Sequence, residues 1–397
     1  MHSFGKGIPL SGLRVVEIGQ IAAGPFAGML LADLGADVVK VERPDGGDGM
    51  RSWPPIYENE EGERFSGNFA SLNRNKRSVS IDFQDPVQLK RLKQLISQAD
   101  VLIENYRPGV LKKYGLDFET LQPEHPKLVY CSISGYGQTG PYAKKGAFDV
   151  TVQAISGLMS VTGEEDGPPV KSGVPVGDFA TALYGAYCIM AALHRANRTG
   201  EGAHIDCSML GSLLGISALQ TSEYYGTGVP PKRLGSAHPR NAPYQGYEAK
   251  DKPFVIAAGN DKLWHEVCDI AGLPQLKRDE RFATQLLRAQ NQRELTAMLQ
   301  PVFLTRTADE WLAECDARGV PCAPINTFDQ ILQDPHVLAM GLVNEVTLPN
   351  GIRTKDVGFP IRMSNVEFGI YRRPPKLGEH NEEVVAEWLT EVQKPTN

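Results

Sequence analysis

The first 135 positions alternate between short, continuous apolar runs and stretches with helical periodicity. "LRVVEIG" (13–19) is rich in β-branched residues, and the loop "QIAAGP" follows it. "FAGMLLADLGA" (26–36) reads as a short helix and "DVVKVERP" (37–44) as a second buried strand, which completes one βαβ unit. The pattern then repeats. "SVSIDF" is a strand, and "QDPVQLKRLKQLISQAD" is a helix with Val87, Leu89, Leu92, Leu95 and Ile96 as its apolar positions. "VLIENY" is a strand, "DFETLQPEHP" a short helix and "KLVYCSIS" a strand. This alternation predicts an α/β fold, a parallel sheet with helices on both faces.

From residue 173 the texture changes to long apolar helices. "GVPVGDFATALYGAYCIMAALHR" (173–195) contains one acid, Asp178, followed by 15 residues without charge, Phe179 to Leu193. A run of that length is shorter than the roughly 20 residues a membrane span needs. "EGAHIDCSMLGSLLGISALQ" continues the helical texture, with "AHIDCSM" possible as a strand. A second α/β region starts at "NAPYQGYEAKDKPFVIAAGN", which reads as strand, turn and strand before the helix "DKLWHEVCDIAGL". "TRTADEWLAECDARG" is a helix with a capping box from Thr307 to Glu310, and "VPCAPIN" is extended. The tail after Asp329 mixes turns and short strands. The implied division is a large domain over 1–205, linker helices over 206–235, a small domain over 236–325 and a return to the large domain over 326–397.

Composition narrows the function classes. The 397 residues are 41% hydrophobic and 22% charged, with a net charge of −6, which argues against general nucleic-acid or membrane-surface binding. The six cysteines include no CxxC pair and several sit in apolar runs, as reduced core thiols of a cytoplasmic protein do. "MHSFGKGIPLSG" has no apolar h-region, so no signal peptide is expected. The eight histidines show no ligand spacing, and no metal is expected.

Open parallel sheets bind ligands beyond the carboxyl ends of their strands. Cations collect near the predicted strand ends: Arg43 after the second strand, Arg74, Lys76 and Arg77 before the third, and Arg107, Lys112 and Lys113 after the fourth. Such a rim suits a phosphorylated ligand, with Tyr106 and Tyr136 available to pack on a base or a pantetheine arm; it equally suits a solvated surface. "GYGQTG" (Gly135, Gly137, Gly140) matches GxGxxG, but Pro141 and "YAKKG" follow where a dinucleotide site needs a helix. It reads as a loop whose bare N–H groups can approach a ligand. Asp178 fits a helix N-cap. At the head of a buried helix it also fits a partly desolvated nucleophile or general base, with Gly173 and Gly177 opening the approach.

Taken together, "LRVVEIGQIAAGPFAGMLLADLGADVVKVERP", "NKRSVSID", "VLIENYRPGVLKKYG", "LVYCSISGYGQTGP", "GVPVGDFATALYGAY", "GVPCAPIN" and "LGEHN" resemble the family III CoA-transferases, the group of formyl-CoA:oxalate and carnitine CoA-transferases. The resemblance covers nearly the whole chain. It implies Asp178 as nucleophile and CoA contacts at Arg43, Ile81, Asn105, Tyr106 and Lys113. Tyr136 would sit by the acyl group in the loop of Gly135 and Gly137. It also implies an interlocked homodimer of Rossmann-like large domains and small α/β domains, with CoA and acyl-CoA as substrates and no tightly bound cofactor.

The chain departs from formyl-CoA transferase, which has Gln where Ala22 stands and a tetraglycine lid where "LGSAHPRNAPYQGY" stands. "SLNRNKRS" and "GVPCAPIN" resemble more the branch that moves CoA from succinyl-CoA to dicarboxylates such as glutarate or hydroxymethylglutarate; acetyl-CoA:oxalate transferases are close. Arg233, His238 and Arg240 are then candidates to hold a distal carboxylate. The α-methylacyl-CoA racemases share the fold and need a His in a "GHD"-type element, where this chain has Phe148 in "KGAFDVTVQ". A CoA-binding regulatory protein without catalysis is the reading from outside the enzymes.

Overall fold

The computed structural model of the chain describes residues 7–390, so half of the amino-terminal stretch read for a signal segment lies outside the described residues. The chain forms two compact units, one from residues up to 158, 172–226 and 335 onward, the other from 159–171 and 227–334. Residues 159–171, placed by sequence in the large domain, thus group with the second unit, and the helical segment up to 226 stays with the first.

The first unit is built on a six-stranded sheet: β1 Arg14–Ile18, β2 Asp37–Glu42, β3 Lys76–Ser80, β4 Val101–Glu104, β5 Val129–Ser134 and β6 Ala203–Ser208. Its spatial order is β3-β2-β1-β4-β5-β6, and every neighbouring pair is parallel. This is the Rossmann order, with its topological switch point between β1 and β4. The central strands β1, β2, β4 and β5 are buried along nearly their whole length because both faces are covered, and the charged residues inside the sheet, Glu17, Lys40 and Lys76, are buried with them. Val15, Val38, Val101 and Ile103 pack beneath α1 (Ala23–Asp33) and a long helix described below. Val16, Val39, Val41 and Leu102 face α2 (Pro86–Ile96) on the opposite side. Asp85 caps α2 by accepting from Val87 N and Gln88 N; Leu92, Leu95 and Ile96 are buried, whereas Val87 is exposed.

Further helices of this unit are α3 Asp149–Ile155, α4 Val176–Thr199 and α5 Met209–Ile216, with α6 Ala218–Thr227 after them. At 24 residues, α4 is long enough and apolar enough to cross a bilayer by length and composition. Its packing against β5, β6, α1 and α5 makes it a core helix of the α/β unit. Within the single chain it is not buried all round: Leu183, Tyr184 and Tyr187 stand on its exposed side.

The motifs "NRNKRS" and "LGEHN" fasten the tail to the sheet. Along the open edge of β3, His380 N donates to Ser78 O, Ser78 N to His380 Nδ1 and Ser80 N to Asn381 Oδ1. An edge strand left bare is a template for unwanted pairing, and these contacts occupy it. Arg77, buried in β3, pairs with Asp37, Glu383 and Glu387. Arg74 pairs with Asp33 and Asp356.

The second unit has its own core. β7 (Tyr244–Glu248), β8 (Pro253–Ala257) and β9 (Cys322–Pro324) form an antiparallel sheet. Helices α7 (Asp261–Ile270) and α8 (Ala308–Ala317) contribute Trp264 and Trp311 to a core with Phe254, Phe282 and Phe303. The capping box on α8 forms as read, Thr307 N donating to Glu310 Oε2 and Glu310 N to Thr307 Oγ1. In the first unit the chain closes with the hairpin of β10 (Val343–Thr347) and β11 (Arg353–Val357) and then α9 (Asn381–Thr390).

Trp388 of α9 is buried against the α2 side of the sheet and donates Nε1–H to Asp37 Oδ2 at 2.8 Å. Trp388→Ala removes a large aromatic from a packed site, with an expected cost of about 3–5 kcal/mol. Thermal unfolding followed by circular dichroism should show a clearly lowered midpoint; an unchanged midpoint would show that the tail does not hold the sheet.

Candidate active site

Charges buried within the sheet set the site. Glu17 in β1 and Lys40 in β2 are register partners; these and Lys76 in β3 are fully buried. Glu17 Oε1 accepts from Lys40 Nζ at 2.9 Å, and Glu17 Oε2 lies 2.7 Å from Lys76 Nζ. Each lysine also donates to a main-chain carbonyl, Lys40 to Gly19 O and Lys76 to Pro25 O, both at 2.7 Å. Burial alone would lower Lys40, but Glu17, Asp48 and Glu42 outweigh it and raise its ammonium above the usual lysine range. Lys76 has less compensation: burial, with Lys40 beside it, lowers it to about 8 against the pull of Glu17. Gly28 of α1 makes room for the pair, since a Cβ there would lie 2.1 Å from Glu17 Oε2. Removing one partner from such a buried set typically costs about 3–5 kcal/mol, because the others lose their counter-charge.

This set holds the loop after β1. Ile21 has φ +67°, a left-handed conformation unusual for a β-branched residue. It is held there because both oxygens of Asp48 accept from Ile21 N, at 3.0 and 3.1 Å. Across the switch point, Gln20 N donates to Asn105 Oδ1 and Asn105 Nδ2 donates back to Gln20 O. Asn105 therefore joins the loops after β1 and β4, at the crevice where such sheets bind ligands.

Of the residues that the resemblance implies for CoA, Arg43, Ile81, Asn105 and Tyr106 directly follow the carboxyl ends of β2, β3 and β4, and Lys113 lies on a turn beyond β4. Arg43, exposed after β2, donates Nε–H to Gly47 O. Tyr106 is half-buried, its phenol raised chiefly by burial, and its N–H donates to Glu104 Oε2. Burial raises the Glu104 carboxyl to about 7. Ile81 closes β3 by donating to Glu42 O, and its side chain is buried in the core. Lys112 and Lys113 are exposed on a short 3₁₀ turn. Lys145 Nζ sits over the rings of Tyr142 and Tyr136, at 5.0 and 5.8 Å. Arg107 packs under the same loop, close enough that a Cβ at Gly146 would be 3.0 Å from its Nη2. By contrast, Arg74, Lys76 and Arg77 do not belong to this rim. They precede or begin β3 at its amino end, and carboxylates inside the fold take up their charge.

The glycine loop differs from its sequence reading. Gly135 lies against Ala147, and Gly137 has φ +90°. However, Gly137 N donates to Ser134 Oγ and Gln138 N to Asp206 Oδ2, both at 2.9 Å, so these two N–H groups are not bare donors for a ligand.

Asp178 is not an N-cap. The cap position of α4 is Pro175, and Asp178 is the third helical residue. The first turn is capped from outside: Asp149 Oδ1 accepts from Gly177 N at 2.8 Å, and Asp149 Oδ2 accepts from Gln153 Nε2 at 2.6 Å. Asp178 is half-buried, and burial followed by the nearby Asp149 charge raises its carboxyl to about 7. The spacing of Asp149 and Gln153, four residues apart in "AFDVTVQ", was the available signal for this arrangement. The sequence reading used only Phe148, which is 77% exposed.

On the second unit, Arg233 donates to Glu164 O, and His238 accepts from Arg240 N while packing on Tyr244. Burial and the Arg240 charge lower His238. Among the described residues, no cluster of His, Cys, Asp and Glu could hold a metal.

The chain that builds this Rossmann-ordered sheet matches the family model of CoA-transferase family III over residues 10–381. The chain belongs to that family. It is 43% identical over 384 residues to a succinate–glutarate CoA-transferase of Agrobacterium fabrum, covering 96% of each chain. It is 40% identical over 381 residues to the succinyl-CoA:glutarate CoA-transferase of Mus musculus, covering 96% of this chain and 86% of that one. Among solved structures, a CAIB/BAIF family protein from Brucella suis superposes with a TM-score of 0.85 at 42% identity, over 96% of this chain and 99% of that one.

Proposed function

We propose that this CoA-transferase moves CoA from succinyl-CoA to a dicarboxylate such as glutarate, with Asp178 as the covalent nucleophile. The observation that carries the reading is a carboxylate on the first turn of a core helix, half-buried and with its proton affinity raised to about 7. A carboxylate of that kind is a better nucleophile than an ordinary aspartate while remaining ionised above neutrality. The acid pair rests on the relatives that act between succinate and glutarate.

In the proposed sequence, an Asp178 oxygen attacks the thioester carbonyl of the donor and CoA thiolate leaves, giving a mixed anhydride of Asp178 and succinate. The thiolate, held at the crevice by Arg43, Asn105, Tyr106 and Lys113, attacks the Asp178 acyl carbon; succinate leaves and Asp178 becomes a CoA thioester. The acceptor carboxylate attacks that thioester and expels CoA thiolate. The thiolate then attacks the acceptor's acyl carbon, which frees Asp178 and forms the new acyl-CoA. Splitting the exchange in this way replaces one difficult displacement with easier ones. A racemase reading lacks support, since Phe148 cannot exchange a proton and both oxygens of Asp149 already accept hydrogen bonds.

The reading includes a cytoplasmic homodimer. The dimer is supported by apolar surface on the packed helices α3 and α4: Phe148 at the cap of α3, Leu183 and Tyr187 on α4. Phe148 is 77% exposed and Tyr187 72%, and clustered apolar exposure of this kind marks a covered surface. Sedimentation velocity should give a dimer; a monomer at micromolar concentration would remove this part. Arg233, His238 and Arg240 remain the proposed contacts for a distal carboxylate. Arg240→Ala should raise KM for glutarate far more than for a monoacid of similar length, and equal effects would discard that role.

The central test is chemical. Enzyme incubated with succinyl-CoA and quenched with hydroxylamine should carry a hydroxamate at Asp178, located by peptide mass spectrometry, and Asp178→Ala should lose turnover and labelling together. Because only the ionised carboxylate attacks, kcat should fall as pH drops below about 7, the value to which Asp178 is raised. A modified residue elsewhere would refute the mechanism.

A further inference from the structure

The segment that leads into α4 is pinned to α3 at two points. Gly177 N–H, one of the helix-end donors with no partner inside its own helix, donates to Asp149 Oδ1 at 2.8 Å. Five residues earlier, Ser172 N donates to Gln153 Oε1 at 2.9 Å. The two points are themselves joined, because Gln153 Nε2 donates to Asp149 Oδ2 at 2.6 Å. Gln153 is fully buried, so its amide has no water to turn to. Glycine at 177 is what allows the approach, since a Cβ there would lie 2.8 Å from Asp149 Oδ1. One carboxylate thus fixes the segment whose next residue is Asp178.

We propose that Asp149 is a positioning residue of this transferase: it locks the head of α4 through Gly177 and Gln153, and its negative charge makes Asp178 a stronger base and a stronger nucleophile. The proposal rests on the reading of Asp178 as the nucleophile.

The chain's own chemistry favours a carboxylate at 149. Both oxygens must accept, one from a main-chain N–H and one from an amide. An asparagine would satisfy Gly177 but turn its NH₂ toward the Gln153 NH₂. Rotating Gln153 would repair that clash and take the amide oxygen away from Ser172 N–H. The elements packed on α4 bring titratable groups that stay uncharged at neutral pH: β5 places Cys131 beside Gly185, and Cys207 of β6 donates to Thr181 O, with burial raising both thiols. α1 meets it with Phe26, whose ring lies 4.7 Å from that of Phe179. α5, "MLGSLLGI", has no ionisable residue, and Met209 and Leu213 are what it places near Gly177. On α3 the ionisable residue is Asp149. The raised proton affinity of Asp178, caused by burial and then by Asp149, agrees with this arrangement.

The charge can be moved without breaking the hydrogen bonds. In D149N/Q153E, the new amide oxygen at position 149 still accepts from Gly177 N. Its NH₂ donates to the new carboxylate at position 153, and that carboxylate still accepts from Ser172 N. The negative charge then sits one turn along α3, beside Ser172 rather than Gly177. Wild type, D149N, D149N/Q153E and D178A would be compared as full chains. The pH midpoint of carbodiimide–amine labelling at Asp178 reads its protonation without turnover, and the acid limb of kcat with succinyl-CoA and glutarate reads its use. D149N should lower the thermal midpoint, and D149N/Q153E should restore it with KM for succinyl-CoA close to wild type. In the double variant the labelling midpoint and the acid limb should move together to lower pH, by about half a unit or more. A labelling midpoint that stays at the wild-type pH overturns the charge claim. A double variant no more stable than D149N overturns the hydrogen-bond assignment. Turnover surviving in D178A would instead remove the nucleophile reading, while the labelling midpoints in the other chains would still decide the effect of Asp149.

Discussion

Glu17 is buried between two lysines, and the rest of the large unit is arranged around that fact. A carboxylate and two ammonium groups inside a parallel sheet are tolerable only when nearly every donor finds an acceptor. The lysines meet this condition by reaching past Glu17 to the carbonyls of Gly19 and Pro25, and Lys76 also donates to Asn73 Oδ1. Satisfying the lysines therefore fixes the loop that leaves β1 and the start of α1. Asp48 completes the arrangement by accepting from Ile21 N and pairing with Lys40. The strained turn at Ile21 and the Asn105 bridge beside it are downstream of an electrostatic requirement in the sheet. The crevice at the switch point has its shape because the charges beneath it have no other way to be satisfied.

The motifs that make the chain recognisable divide into two physical kinds. "NRNKRS" and "LGEHN" are fasteners whose polar groups join β3 to α1, to the tail and to α9; of them, Lys76 supports the crevice from beneath through Glu17 and Pro25 O. "ENYRPG", the tyrosines and Lys145 around the glycine loop, and the head of α4 leave charge and ring faces at the carboxyl ends of the strands. Both kinds contain arginine and lysine, so residue type does not separate them. Position along the strand does: a cation at the amino end of β3 meets carboxylates of the fold, and one after the carboxyl end of β4 meets solvent.

Much of the fold was legible beforehand. Four strands are legible as apolar runs and the third as the alternating "SVSIDF", although that strand starts two residues earlier, at Lys76; in the sixth, 203–208, His204 and Asp206 interrupt the apolar pattern. The capping box at Thr307 was legible because it is local, made by residues three apart. Less of the site could be read. The cap of α4 comes from α3, 28 residues earlier, and the partners of Gly137 and Gln138 come from Ser134 and from Asp206 on β6. The exposed side of α4 has a related origin: a helix apolar on every side calls for cover on every side without saying what supplies it, and the chain itself covers only part.

By itself, the sequence determined most element types of the first sheet and the parallel α/β class, because these depend on periodicity and residue type within a few positions. The tertiary structure alone decided which cations are spent inside the fold, that the N–H groups of Gly137 and Gln138 are already taken, and that Asp178 stands near a second carboxylate. Those outcomes depend on which distant groups share a low-dielectric space, where a neighbour a few ångströms away counts for more than any neighbour in the chain.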